Sequence, residues 1–124
     1  MVIGETMDKL TRGKLAEEEA VTALRELGYR ILERNFRTRL GELDIICEHE
    51  DCLIFVEVRS RKGARFGLPQ ETVNWAKQAQ VRRMAWQYLK MKGSCDRNCR
   101  FDVIGIVFDE RDQLKTIDII NDAF

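Results

Sequence analysis

The stretch LGELDIICEHEDCLIFVEVRSR, residues 40–61, decides the fold of this chain. Apolar and polar residues alternate in both of its halves, as they do in strands that bury one face of a sheet. Between the halves lie the four polar residues 48–51, a connection length that is typical of a β-hairpin. The stretch therefore predicts two antiparallel strands joined by a tight turn.

The register of this hairpin brings acidic residues together. A pairing of Cys47 with Cys52 places Glu42 opposite Glu57 and puts Asp44 on the diagonal to Glu57. Like charges that face each other in a sheet are destabilising, so three acids on one face indicate a bound cation. Oxygen ligands favour magnesium, calcium or manganese. The alternative is a hairpin whose solvated face carries charge; on either interpretation that face presents Glu42, Asp44, Glu57 and Arg59.

Hydrophobic residues make up 44% of the chain and charged residues 34%, a composition typical of globular proteins. The length and composition predict one domain that covers residues 1–124. Twenty-one basic residues balance 21 acidic ones, which argues against a non-specific nucleic-acid coat protein. The charge is nevertheless uneven, because residues 77–100 contain seven basic residues and one acid. The sequence shows neither an apolar run of membrane-spanning length nor a signal-peptide core, and we expect a cytoplasmic protein without membrane association.

Four cysteines leave a structural zinc site open as an alternative. Four residues separate Cys47 from Cys52 and three separate Cys95 from Cys99, whereas zinc sites commonly show two-residue gaps. In a cytoplasmic protein these residues are expected to be thiols. We expect Cys47 and Cys52 to fill the core on the face of the sheet opposite Asp44.

A first helix is predicted from a cap at Asp8 or Thr11 to about Leu27, where Gly28 stops it. Glu17 falls within the apolar stripe of this helix. A buried glutamate needs a partner or a metal, while a glutamate at the stripe edge can reach solvent, and the pattern leaves both open.

The remaining pattern predicts a second helix from Pro69 or Gln70 to about Met91, with Trp75 and Trp86 in the core or, alternatively, as platforms for nucleobases. Further strands are predicted at residues 29–36, 101–108 and 114–120. The order helix, three strands, helix, two strands describes an α/β fold, a mixed sheet flanked by helices.

Several segments together resemble the YraN-like family of bacterial proteins, which belongs to the restriction-endonuclease-like nuclease superfamily. The resemblance runs from about residue 13 to residue 124. It is carried by GKLAEEEA at 13–20, YRILERNFR at 29–37, GELDII at 41–46, FVEVRSR at 55–61, RFGLPQETV at 65–73, RFDVIGI at 100–106 and NDAF at 121–124.

The resemblance implies a restriction-endonuclease-like fold and a metal site. By it, Asp44 and Glu57 hold Mg²⁺ or Mn²⁺ with help from Glu17, and the Val58 carbonyl adds a ligand. The superfamily has a lysine where this chain has Arg59, which departs from the pattern. Arginine can offset charge and grip a phosphate, but it stays protonated and cannot serve as a general base. The catalytic set implied is Glu17, Asp44, Glu57 and Arg59.

Basic residues beside the acids predict contacts with a nucleic acid, expected to be DNA. A Gly-containing basic loop follows Arg59, and the second helix adds a polar face, to which the resemblance contributes Gln78. The predicted contact residues are Arg61, Lys62, Arg65, Lys77 and Gln78. Two functions stay open: a Mg²⁺-dependent endonuclease acting on DNA, including branched DNA such as Holliday junctions, or a non-catalytic nucleic-acid-binding or scaffold protein. A homodimer also stays open.

Overall fold

A computed structural model describes residues 7–63 and 68–124. Its helices and strands follow the predicted order, which confirms the α/β architecture expected from the sequence. Their bounds are α1 (Lys9–Glu26), β1 (Arg30–Thr38), β2 (Gly41–His49), β3 (Cys52–Lys62), α2 (Trp75–Lys92), β4 (Cys99–Phe108) and β5 (Leu114–Ile120).

The five strands form one mixed sheet in the order β1-β2-β3-β4-β5. β3 and β4 run parallel, whereas every other neighbouring pair runs antiparallel. A parallel pair needs a crossover connection, and α2 provides it. β3 is the third of the five strands, so it is the central strand of the sheet.

The β2–β3 hairpin differs from its prediction in both turn and register. The turn consists of Glu50 and Asp51, which have positive φ angles of 48° and 65°. Two such residues are typical of a type I′ turn, whose twist matches that of the flanking strands. β2 therefore continues to His49, which pairs with Cys52. The predicted four-residue connection and the pairing of Cys47 with Cys52 are wrong.

Hydrophobic side chains form a separate core on each face of the sheet, because successive strand residues point to opposite faces. The core under α1 contains Ala16, Ala20, Val21, Leu24, Ile45, Cys47, Ile54, Val56, Ile104, Ile106 and Phe108. The core under α2 contains Leu43, Ile46, Leu53, Phe55, Val81, Met84, Ala85, Tyr88 and Leu89. The helices thus cover opposite faces, and β3 contributes to both cores.

Helix α1 begins at the first of its two predicted caps, since Asp8 Oδ1 accepts a hydrogen bond from the Thr11 N–H at 2.7 Å. Within the described residues 7–63 and 68–124, no helix combines the length and the apolar character needed to cross a membrane.

Helix α2 begins later than predicted. Residues Pro69–Thr72 form a separate 3₁₀ turn, and Val73 then takes an extended conformation that interrupts the helix. Asn74 caps α2 by accepting a hydrogen bond from the Lys77 N–H at 2.8 Å. The turn packs on β4 at Gly105, where a Cβ atom would overlap the Pro69 ring.

Of the two alternatives for the tryptophans, placement in the core is wrong. Trp75 is 81% exposed and Trp86 is 50% exposed. Both lie on the side of α2 that faces away from the sheet, while Val81, Met84, Ala85, Tyr88 and Leu89 supply its buried side.

Candidate metal and nucleic-acid site

Asp44 lies where the ladder between β2 and β3 ends. The last pair of that ladder is Ile45 with Val56. Beyond it, the Val58 N–H donates a hydrogen bond to Asp44 Oδ2 at 2.8 Å. Leu43 and Ile45, on either side of Asp44, pack into opposite cores, so the strand alternation breaks at this residue. The backbone of β3 thereby orients the Asp44 carboxylate.

Two further acids lie beside Asp44. Oxygen atoms of Glu17 from α1, Glu42 from β2 and Asp44 all lie within 4.8 Å of one another. Among the residues that the structure describes, this is the one group of three or more acidic, histidine or cysteine side chains close enough to share a metal ion. The first helix and the hairpin therefore meet as predicted for Glu17 and Asp44, and Glu42 joins them.

The proximity of these acids perturbs their protonation. Burial is the main cause that raises the pKa of Glu17, and the Asp44 carboxylate raises it further. Burial also raises the pKa of Asp44, against the lowering effects of the Val58 hydrogen bond and the Lys77 charge. Neighbouring carboxylates that resist ionisation together are a common feature of functional sites.

Glu57 approaches Asp44 from the α2 side of the sheet. It is 3% exposed, although it is a charged residue type. Burial and then the Asp44 carboxylate raise the pKa of Glu57 to about 7. Its Oε1 atom is buried and has no hydrogen-bond partner in the described part of the chain. Asp44 is thus the shared neighbour of Glu17 and Glu57, although Glu57 lies outside the 4.8 Å group.

The register explains this arrangement. The predicted register placed Glu42 opposite Glu57, but the observed ladder is shifted by two residues and ends at Ile45 and Val56. Those residues precede Glu57 and follow Asp44 directly in the sequence. As a result Asp44, and not Glu42, is the acid nearest to Glu57 in the ladder.

Lys77 supplies a positive charge on the α2 side of the site. Its Nζ atom lies 3.7 Å from Glu57 Oε2. The lysine comes from the first turn of α2, which the Asn74 cap anchors. The sequence predicts Lys77 as a nucleic-acid contact. No pattern in the residues next to Lys77 predicts an ion pair with Glu57, which lies twenty residues earlier in the chain. The alternation of β2, in contrast, had already placed Glu42 with Asp44.

Arg59 lies two residues beyond Glu57 on β3 and is half-buried. Its charge lowers the pKa of both Asp44 and Glu57, in opposition to the larger effect of burial. Its Nε atom is buried and has no partner among the described residues. The guanidinium is therefore close enough to act on the carboxylates electrostatically.

The other predicted nucleic-acid contacts have different surroundings. Lys62 Nζ lies 3.3 Å from Asp112 Oδ1, and Gln78 Nε2 donates a hydrogen bond to the Val73 carbonyl at 2.9 Å. Arg61 is half-buried on β3. Arg65 lies outside the described residues. Contacts of these residues with a nucleic acid stay predictions.

A cleft of about 1040 Å³ opens beside the acids, between α1 and the start of the sheet. Glu17, Glu42 and Asp44 lie on its wall with Val58 and Ser60. The three acids are therefore accessible from solvent on this side, whereas Glu57 and Lys77 close the site from the α2 side.

The cysteines take no part in this group. All four are free thiols, and Cys47 is buried in the core under α1, where burial raises the pKa of its thiol to about 12. Cys47 thus has the core position expected for it, and a protonated thiol is a poor metal ligand.

Comparisons with known proteins show which family this chain belongs to. The family model described as "Uncharacterised protein family UPF0102" matches residues 16–106. A UPF0102 protein of Pelotomaculum thermopropionicum is 46% identical over 112 residues, which cover 90% of this chain and 93% of the relative. A UPF0102 protein of Moorella thermoacetica is 41% identical over 119 residues, covering 96% of this chain and 99% of the relative.

The matched region includes Glu17, Asp44, Glu57, Arg59 and Lys77, so the candidate site lies wholly within it. These similarities extend over nearly the full length of both partners and confirm the resemblance to YraN-like proteins. The chain belongs to the UPF0102 family.

Proposed function

We propose that this protein is a divalent-metal-dependent endonuclease that hydrolyses phosphodiester bonds in DNA, with branched DNA as its substrate. The observation that carries the proposal is the meeting of Asp44 with Glu17 and Glu42 on one side and with the buried Glu57 on the other. The restriction-endonuclease-like arrangement implied by the family resemblance uses carboxylates at the positions of Glu17, Asp44 and Glu57.

The chemistry of these residues fits a hard divalent cation. All the candidate ligands are carboxylate oxygens, which Mg²⁺ and Mn²⁺ prefer. Buried Oε1 atoms of Glu17 and Glu57 have no hydrogen-bond partner within the described ranges, and leaving such groups unpaired costs free energy. Burial is the main cause that raises the pKa of Glu17, Asp44 and Glu57, and a bound cation would favour their ionised forms. Asp44 and Glu57 would hold the metal, with Glu17 and Glu42 as additional ligands.

A bound Mg²⁺ supplies charge neutralisation at the phosphate and lowers the pKa of a bound water. The protein supplies the positions of the groups around it. The Val58 N–H holds one oxygen of Asp44 and so fixes the direction of the carboxylate. Without metal, burial and the Asp44 carboxylate raise the pKa of Glu57 to about 7, so a metal ion that binds there would displace a proton near neutral pH.

Lys77 can fulfil the role that the superfamily gives to a lysine on the third strand. Its ammonium lies 3.7 Å from Glu57 Oε2, so it already stands beside the acids and can offset charge on a phosphate. Arg59 can grip that phosphate with two N–H groups but cannot take up a proton. Arg59 on β3 and Lys77 on α2 would thus together provide the functions that the superfamily obtains from one lysine.

The test is a nuclease assay with linear, flapped and four-way DNA, each with and without Mg²⁺ or Mn²⁺. We expect metal-dependent cleavage by the parent protein, highest on the four-way junction, and none by Asp44→Asn. Asp118→Asn, which changes an exposed acid on β5, is the matched control and should cleave like the parent. Cleavage that persists in Asp44→Asn would assign the activity to a contaminant and defeat the proposal.

Two observations favour a second candidate, a non-catalytic nucleic-acid-binding protein. Arg59 replaces the superfamily lysine, and the Lys77 ammonium partly neutralises Glu57 without any metal. A domain with these features can hold a phosphate backbone without cutting it. Binding of the four-way junction by the parent protein, with no cleavage in either metal, would select this candidate.

A further inference from the structure

The outward side of α2 carries an unusual set of side chains, which we name the outer stripe: Trp75, Arg82, Arg83, Trp86 and Lys90. All five are exposed. At 100° per residue they fall within a sector of roughly 100° around the helix axis. They therefore form one continuous surface rather than scattered exposed residues.

The outer stripe is strongly basic in a protein whose net charge is zero. Three of its five residues are basic, of which Arg82 places its guanidinium over the Phe101 and Phe124 rings, and α2 contains no acidic residue. A local excess of positive charge attracts an anionic partner even when the whole chain is neutral. The partner that fits this surface is consequently an anion or a polyanion.

The aromatic residues narrow the choice of polyanion. Trp75 is 81% exposed and Trp86 is 50% exposed, so indole faces are available to a partner. Lys90 Nζ lies 5.9 Å from the centre of the Trp86 ring, which places a cation directly at an aromatic platform. Unpaired nucleobases stack on such rings while neighbouring cations hold the phosphates. Bases inside an intact duplex offer no free face for stacking.

We propose that the outer stripe binds single-stranded nucleic acid, with bases stacked on Trp75 and Trp86 and phosphates held by Arg83 and Lys90. This inference rests on the proposed function for its choice of nucleic acid, and it specifies a substrate with an unpaired segment. The helix starts beside Glu57 through Lys77 and rises roughly 16 Å from Trp75 to Trp86. A single strand of a few nucleotides laid along the outer stripe would span this length of α2.

The experiment uses the fluorescence of the protein itself. The chain has two tryptophans, both on the outer stripe, so their emission reports on this surface alone. The full chain is titrated with oligothymidylate in the presence of a chelator, and then with an abasic oligonucleotide of equal length and charge. We expect oligothymidylate to quench the emission and to bind about tenfold more tightly than the abasic strand, the scale of one stacked base.

Variants assign the contacts. Trp86→Ala should weaken oligothymidylate binding about tenfold, and Trp86→Phe should recover part of it because phenylalanine still stacks. Arg83→Gln combined with Lys90→Gln should reduce the slope of log affinity against log salt by about 1–2. Met91→Ala is the matched control: it truncates another exposed apolar residue of α2, roughly 160° from Trp75 around the helix, and should change nothing.

Three results would overturn the inference. Equal affinity for oligothymidylate and the abasic strand would show that base stacking does not contribute to binding. Unchanged affinity in Trp86→Ala would show that the strand binds on another surface. Quenching by phosphatidylglycerol vesicles but not by oligothymidylate would assign the stripe to a lipid surface. Binding is measured without metal, so a protein that binds oligothymidylate but does not cleave DNA contradicts only the proposed nuclease function. A protein that cleaves DNA but does not bind oligothymidylate contradicts only the binding inference.

Discussion

Lys77 and Glu57 join the start of α2 to the middle of β3 through an ion pair with 3.7 Å between Nζ and Oε2. The pair stands on the α2 face of the sheet, and Asp44 raises the pKa of its acidic member. A lysine twenty residues away in sequence thus becomes part of the acid site. This relationship makes the protonation of Glu57 the first property to test.

Glu57 should make the stability of the metal-free protein fall as the pH rises. Burial and Asp44 raise its pKa to about 7 from an ordinary value of 4.5, so the folded protein keeps a proton that the unfolded chain loses between these values. Stability from this group is full below pH 4.5 and is lost as the pH rises through about 7.

Glu57→Gln cannot ionise and should be more stable than the parent at pH 8, by on the order of 1–3 kcal/mol, with a smaller difference at pH 4. Urea unfolding in the presence of a chelator measures this. Glu26→Gln, an exposed acid at the end of α1, is the control. Parallel stability curves for Glu57→Gln and the parent would show that Glu57 titrates normally.

Divalent metal should stabilise the parent protein and not Asp44→Asn. A ligand at a hundred times its dissociation constant stabilises a fold by about 2.7 kcal/mol, which raises the melting temperature of a domain of this size by about 10 °C. Thermal melting with Mn²⁺ measures the shift. An equal shift in Asp44→Asn would place the metal elsewhere; Asp118→Asn should respond like the parent.

Arg59 should act as a charge clamp in cleavage. Arg59→Lys keeps the positive charge and should cleave at or above the parent rate, because lysine can also be tuned in pKa. Arg59→Ala should lose about 3 kcal/mol of transition-state stabilisation, the scale of one charged or polar donor. Single-turnover rates on a four-way junction and a linear duplex provide the measurement. Equal rates for the parent and Arg59→Ala would remove the clamp role, and no cleavage by any variant would favour the non-catalytic binder.

Arg61 and Lys62 should contribute to DNA binding through phosphate contacts. Neutralising both should reduce the slope of log affinity against log salt by about 1–2, since each phosphate contact releases counterions. Because Lys62 forms an ion pair with Asp112, the double variant also loses that ion pair. Lys115→Gln, an exposed change on β5, is the control. An unchanged slope in the double variant would show that DNA binds on another face.

The sequence by itself determined the order of the elements, the α/β class and the hairpin at its centre. These depend on local patterns: alternation in β2 and β3, apolar stripes in α1 and α2, and caps such as Asp8. It also indicated that Glu42, Asp44 and Glu57 would concentrate negative charge. These patterns involve residues a few positions apart, so one sequence is enough to predict the helices, strands and caps that depend on them.

Only the tertiary structure decided how the acids are arranged and which cations face them. A two-residue turn at Glu50 and Asp51 shifted the strand register by two residues, and that shift set Asp44 rather than Glu42 next to Glu57 in the ladder. The packing of α2 on the sheet brought Lys77 to Glu57 and left Trp75 and Trp86 exposed. Strand register and helix packing depend on contacts between residues distant in sequence. The periodicity of apolar residues along the chain does not predict these contacts.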